Sequence, residues 1–489
     1  MSPSNRTPWG VLRLSAWLAL VFAPPVAAQQ PITLEQAVQL AQERSHEALA
    51  ARADLEAGRY RHRAFNSGLL PQLALSGNLP IYNRSIIPVV QPDGSTLFRA
   101  QQLTNTGLTA RLSQKLPLTG GELFVSSGLS RLSVSGQQSI ETWSSTPVSV
   151  GVTQGILKPN TAEWDRRQQA VQIDVDERRY REAREDVALQ TANLYFDVVA
   201  ARTALDNAVQ NAARNDTLYT LNQGRFEVGK IGENDLLQSE LALLRARTVL
   251  DGARLTYDRA VEALRLRLQL PAGQPIEVVL QAEVPAVEAD TGRAVAEAMQ
   301  NRSAVSDVAL QEVQARRRVA EARLGGALGA TVQASVGLNA SAPEASLAYQ
   351  NLLEARRVQV SVDLPLWQWG GRGESVRAAR AEEERASSLG QQTLEQVAHE
   401  ARFAALELAQ ARRGLALSAT ADTVAGKRFE VAYNRYVIGR ITLDNLFIAQ
   451  NEKDQALTQF VQALRGYWQA YYRLRRATLF DFRRGEVIR

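Results

Sequence analysis

The 489-residue chain has no cysteine, only three histidines and only two methionines. Without thiols it has no disulfide, no thiolate metal site, no cysteine nucleophile and no lipid carried on an N-terminal cysteine. His46, His62 and His399 lack metal-type spacing such as His-Glu-x-x-His, and no glycine-rich phosphate loop is present. Acidic residues are plentiful but fall on helix faces, where solvation is the default. No catalytic residue, metal or cofactor is therefore expected, and the chain does not read as an enzyme. After the first 28 residues no run approaches the ~20 apolar residues of a membrane helix. Between Glu163 and Asn222 there is neither proline nor glycine.

Apolar residues make up 45% of the chain and charged residues 22%, the balance of a folded protein. The net charge is +5, and basic runs such as Arg316-Arg317-Arg318 read as solvated helix faces rather than a nucleic-acid surface. Residues 1–28 combine Arg6 and Arg13, an apolar core and a Val26-Ala27-Ala28 end, the layout of a cleaved secretory signal peptide. Export also argues against a nucleic-acid partner.

From Ile32 to Leu70 the apolar period is helical, with Thr33 and Gln36 placed for a capping box. Alternating segments follow: one from Leu73, two around 108–116 and 123–134, and one along Val148, Val150 and Val152. Pro88, Pro92-Asp93-Gly94 and Asn105 mark a turn-rich region between the first two. Val187, Thr191, Leu194, Val198, Ala201, Leu205 and Ala208 then form one helical stripe. Sixty such residues at ~1.5 Å each make a helix of about 90 Å, which must lie against other long helices.

That helix ends at Arg225-Phe226-Glu227-Val228-Gly229-Lys230-Ile231-Gly232-Glu233-Asn234-Asp235, with Asn234 and Asp235 expected to cap the returning helix. The same arrangement recurs 210 residues later as Arg435-Tyr436-Val437-Ile438-Gly439-Arg440-Ile441-Thr442-Leu443-Asp444-Asn445. Further back, Glu43-Arg44-Ser45 answers Asn301-Arg302-Ser303 at an offset of 258, so the first half holds some 48 extra residues. The chain reads as a tandem duplication: a first repeat over 29–270, a linker over 271–292, a second repeat over 293–480 and a basic tail over 481–489. Each repeat runs helix, strands, long helix, tip, returning helix.

Strands that alternate apolar with small polar residues suit lipid on one face and water on the other. Trp367 and Trp369, at the end of the last strand, suit a membrane-interface girdle. Four to six such strands cannot close a barrel within one chain, and an open sheet in lipid leaves backbone groups unpaired. Three chains pooling their strands is the simplest closure, with the long helices continuing the wall as a tube.

In the duplication, the aromatic-x-x-Gly tips, the proline-bounded first strand and the exported start, almost the whole mature chain resembles the TolC-like outer-membrane efflux proteins. The resemblance implies an α+β membrane protein, a homotrimer with one shared transmembrane β-barrel and a periplasmic α-helical barrel. It implies a passive exit duct in the outer membrane of a Gram-negative cell, serving an efflux or type I secretion system. An inner-membrane pump would deliver substrates through a periplasmic adaptor protein. The alternative is a structural periplasmic coiled-coil scaffold, for which the strands would have to be soluble.

At the tips the resemblance implies a gate in which Asp235 is acidic and Tyr436 is the aromatic that closes against it. Arg440, Asp444 and Asn445 stand nearby, Asn445 where the second repeat would place its acidic residue. Val228, Gly229, Lys230, Ile438 and Gly439 are the expected adaptor-docking residues.

Overall fold

The computed structural model describes residues 31–135, 139–272, 276–279 and 284–488. The expected signal peptide over 1–28 lies outside them. Two short helices, α1 (Leu34–Arg44) and α2 (His46–Gly68), lead into four strands: β1 (Gln72–Val90), β2 (Thr96–Leu116), β3 (Gly121–Ser135) and β4 (Ile140–Ile156). The hairpin of α3 (Thr161–Glu227) and α4 (Glu233–Leu268) follows. The second half repeats the order with α5 (Thr291–Asn301), α6 (Ser303–Gly325), β5 (Gly329–Ala342), β6 (Leu353–Asp363), α7 (Gly371–Val437) and α8 (Leu443–Thr478). A closing pair, β7 (Phe480–Asp481) and β8 (Glu486–Val487), ends the chain.

The duplication is visible in the element lengths. Both long helices have 67 residues and both returning helices have 36, each pair displaced by 210. Ahead of the inserted strands the displacement is 257 rather than the expected 258. It is the same for α1 and α5, α2 and α6, and β1 and β5. The surplus of the first half is the β2–β3 pair.

Two expectations are corrected. The single helix foreseen over 32–70 breaks at Ser45, which is extended and accepts the Ala48 N–H as an N-cap. Its counterpart breaks at Arg302, held by Glu182 at 2.9 Å and Glu400 at 3.4 Å. The turn-rich region shrinks to residues 91–95, because β1 and β2 pair all the way to Val90↔Thr96. Pro80 and Pro88 are accommodated there since β1 is an edge strand. At the start of the basic tail Asp481 is buried beside Phe480, and Arg475 Nη1 reaches Asp481 at 2.7 Å.

The six long strands form one antiparallel sheet in the order β1-β2-β3-β4-β5-β6. Paired residues share a face, so the register assigns the two sides. One line runs Leu73–Leu112–Val125–Val150–Val336 over β1 to β5 and ends at Arg356 on β6; the next starts at Gln114 on β2 and runs Leu123–Val152–Ala334–Val358. The opposite face carries Arg111, Ser126 and Ser149, then Glu122, Thr153, Gln333 and Gln359. Arg111 and Glu122 pair there at 2.8 Å. The apolar face is bare in the single chain: Leu73, Leu75 and Val358 are all exposed by about three quarters, at 76%, 71% and 75%. Lipid is the solvent that makes such a face stable.

Below the sheet, α2, α3, α6 and α7 lie side by side, and further down α3, α4, α7 and α8 do the same. The main core lies where these levels meet, around Leu34, Tyr195, Phe196, Leu264, Leu408 and Trp468. Tyr195 donates from its hydroxyl to the Val279 carbonyl at 2.8 Å. Burial pushes that hydroxyl up to about 12, so it stays a donor. Among the described residues no helix is long and apolar enough to cross a membrane.

Candidate gate and docking site at the hairpin tips

The far ends of both helical hairpins close with the same turn. Gly229 and Gly439 take φ of +67° and +76°, the left-handed region that favours glycine. The Gly229 N–H donates to the Phe226 carbonyl at 2.9 Å and the Lys230 N–H to that of Arg225 at 2.8 Å. Gly439 and Arg440 repeat these bonds to Tyr436 and Arg435, both at 2.9 Å. They satisfy carbonyls that a helix end leaves open.

The next helices are not capped as expected. Gly232 and Thr442 are the N-caps, and Asn234 and Asp235 lie inside the first turn of α4. A carboxylate there still suits the positive helix end. Asn445 is in the matching turn of α8 and donates to Thr442 Oγ1 at 2.9 Å.

Beyond the turn the tips diverge. Tyr436 is buried with Leu218, Phe429, Leu443, Leu446 and Ala449 in a small core of its own. Its hydroxyl donates to Asn222 Oδ1 at 2.8 Å, a bond between the two repeats. The Arg225 guanidinium stands 5.2 Å from the centre of the Tyr436 ring, and its Nη2 donates to the Val437 carbonyl at 3.1 Å. Asp444 accepts from Gln238 Nε2 at 2.8 Å. The cognate of Tyr436 in the first repeat, Phe226, is instead 41% exposed.

Asp235, Lys230, Arg225, Tyr436 and Asp444 line one shared hollow, while Arg440 and Asn445 lie outside that lining. The structure thus brings Asp235 near Tyr436 but gives the hydroxyl to Asn222. Among the described residues no ion pair joins Arg440 to Asp235. Asn222 and Gln238 are residues that the sequence did not single out, and Arg225 was read there only as the start of the tip stretch. Val228 and Ile438, the expected docking knobs, are well exposed beside their glycines, at 67% and 64%.

At the other end, Trp367 and Trp369 follow β6 directly with rings 5.3 Å apart, edge to face. Trp369 has φ of +50° and both rings are bare in the single chain, as suits an interface girdle. Among the described residues no cluster of side chains is set to hold a metal.

Residues 122–268 match the family model of outer membrane efflux proteins. No curated protein sequence matches the chain. Among solved structures, the CmeC outer membrane channel of Campylobacter jejuni superimposes with a TM-score of 0.63 at 16% identity. The alignment covers 100% of this chain and 95% of that one. VceC of Vibrio cholerae gives 0.65 at 13% identity, over 91% and 95% of the two chains. The open MtrE channel of Neisseria gonorrhoeae gives 0.64 at 15%, over 91% and 88%. The chain therefore has the TolC-like outer-membrane channel fold, and the resemblance read from its residues holds.

Proposed function

We propose that this chain, an outer membrane efflux protein over residues 122–268 and a channel of that fold along its length, is a passive exit duct for an inner-membrane pump. The observation that carries the reading is the sheet. It has one bare apolar face and two unpaired edges, and it is joined to helices of 67 residues that a compact protein has no room to bury. Such a sheet is stable in lipid only when other copies close it. Three copies give a shared barrel in the outer membrane, and their helices continue it as a tube through the periplasm. The hairpin tips then form the inner end, where a periplasmic adaptor docks and where the pore is gated.

The scaffold alternative requires soluble strands. The rows of exposed leucine and valine on one face of the sheet disfavour it. Substrates are driven by the pump, so the duct itself does no chemistry.

The test is to fractionate cells and reconstitute the purified protein. A heat-resistant trimer in the outer-membrane fraction, with ion conductance in planar bilayers, is expected. Protease should reach the Gly94 turn from outside intact cells, since β2 spans ~70 Å at ~3.3 Å per residue and outruns the ~25 Å apolar band. A soluble periplasmic monomer would overturn the reading.

A further inference from the structure

The sheet is wider than closure of a barrel of twelve strands by three chains would need, and its two edges are prepared for one another. Strand order alternates in direction, so with six strands β6 of one chain meets β1 of the next antiparallel. The internal duplication also says how they meet. β4 pairs with β5 inside the chain: Gly151↔Ser335, Val152↔Ala334 and Thr153↔Gln333. β6 is the copy of β4 displaced by 210, and β1 is the copy of β5 displaced by 257. Carrying the pairs across places Ser361 opposite Asn78, Val362 opposite Gly77, and Asp363 opposite Ser76.

The faces agree. Ser361 and Asn78 both lie on the polar side, whereas Val362 and Gly77 both lie on the apolar side with Leu75. A one-residue slip would put each apolar residue against a polar one. The correspondence ends above Asn78, where a bulge between Asn78 and Ile81 reverses the faces of β1.

We infer that three copies close through a β6–β1 seam in this register, making an eighteen-stranded barrel; this rests on the duct reading above. The arc fits the helices beneath. Four helices at ~10 Å spacing take up about 40 Å of circumference per chain. Six strands tilted near 40° take up about 37 Å, at ~4.8 Å between strands. The wall therefore continues from helices to strands without a funnel. Its backbone diameter is ~36 Å, against ~24 Å for twelve strands of the same tilt. The seam so widens the outer mouth for bulky cargo.

The natural absence of cysteine makes the seam testable in the full-length chain. Opposed residues in an antiparallel pair have Cα atoms ~4.5–5.5 Å apart, within disulfide reach. Asn78→Cys combined with Ser361→Cys should, on oxidation in isolated outer membranes, convert most of the protein into covalent trimer that reductant reverses. Ser76→Cys with Asp363→Cys is a second pair in the same register. Ser85→Cys with Ser361→Cys, seven residues off, should crosslink at least tenfold less. Native mass of the detergent-extracted protein counts the chains independently. A trimer mass with neither in-register pair crosslinked, or with the displaced pair crosslinked as well, overturns the seam. A monomer or dimer mass overturns the duct reading instead.

Discussion

The two halves of this chain fold alike and end differently, and their tips show it best. In the second, Tyr436 is inside: its ring is packed and its hydroxyl given to Asn222. In the first, the position 210 residues earlier is Phe226, half out in solvent and without a hydroxyl to give. The cognate of Asn222 is Ala432, which has no acceptor to offer. Duplication supplied two equal turns, and divergence made one an anchor and left the other free. A gate built from both would have one fixed jaw and one movable jaw.

The sharpest way to break that comparison is truncation of both aromatics. Tyr436→Ala removes a fully packed ring and strands the Asn222 side chain, which should destabilise the tip by about 3–5 kcal/mol. Phe226→Ala should lose about 1 kcal/mol or less, since so much of its ring is already wet. Hydrogen exchange over 429–446 in assembled trimers reads the difference directly. Equal effects at the two tips would mean that the anchor is not local.

The same asymmetry recurs at the level of the main core. Glu185 is buried and clamped by Arg475 through two bonds, at 2.9 and 3.0 Å, with Asp481 on the far side of the guanidinium. Its cognate, Glu395, is exposed. Glu185→Ala leaves Arg475 with half its partners, and a loss of about 3 kcal/mol in denaturant unfolding is expected. Glu395→Ala should stay within about 0.5 kcal/mol of the parent. A soft result at Glu185 would show that the docked C-terminus is held by Phe480 and its neighbours alone.

The turns themselves should behave alike. At Gly229 and Gly439 a Cβ would meet nothing within 4 Å, so substitution is penalised through the backbone only. Valine at a positive φ costs about 1–2 kcal/mol, and it reshapes the surface that carries Val228 and Ile438. Efflux should fall in both variants while trimer levels stay normal. Wild-type efflux in both would remove the docking role from these residues.

What the sequence disclosed follows from what repeats or alternates. The 210-residue echo located both tips and both glycines, and the change of period from two to 3.6 separated sheet from helix. The turn-rich region was right at Pro92-Asp93-Gly94 and drawn too wide on either side, because Pro88 and Asn105 resemble turn signals. An edge strand tolerates proline, and nothing local says that β1 is an edge. The breaks at Ser45 and Arg302 were hidden because each interrupts a helical pattern for one residue only. The roles of Asn222 and Arg225 were invisible for a different reason. Their partners in the second tip lie more than 200 residues away, and a polar residue on a long helix gives no sign of what faces it.

The smallest expected effect bears on the gate itself. Tyr436→Phe keeps the packed ring but withdraws the donor from Asn222 Oδ1, whose neighbouring Nδ2 is already buried without a hydrogen-bond partner among the described residues. Loss of one such bond costs about 1 kcal/mol. Three copies lost together would move a closed–open balance by about 3 kcal/mol, roughly a hundredfold in population. Adding Asp235→Ala removes the carboxylate that lines the same hollow from the first repeat. The double variant should assemble normally, since neither residue belongs to the main core. It should show larger single-channel conductance in planar bilayers and make cells sensitive to bulky antibiotics. Phe226→Ala, made on the other jaw, should leave conductance near the parent value because it breaks no bond between repeats. Unchanged conductance in a correctly assembled double variant would place the constriction elsewhere, and leave Tyr436 and Asp235 with the chemistry of a turn.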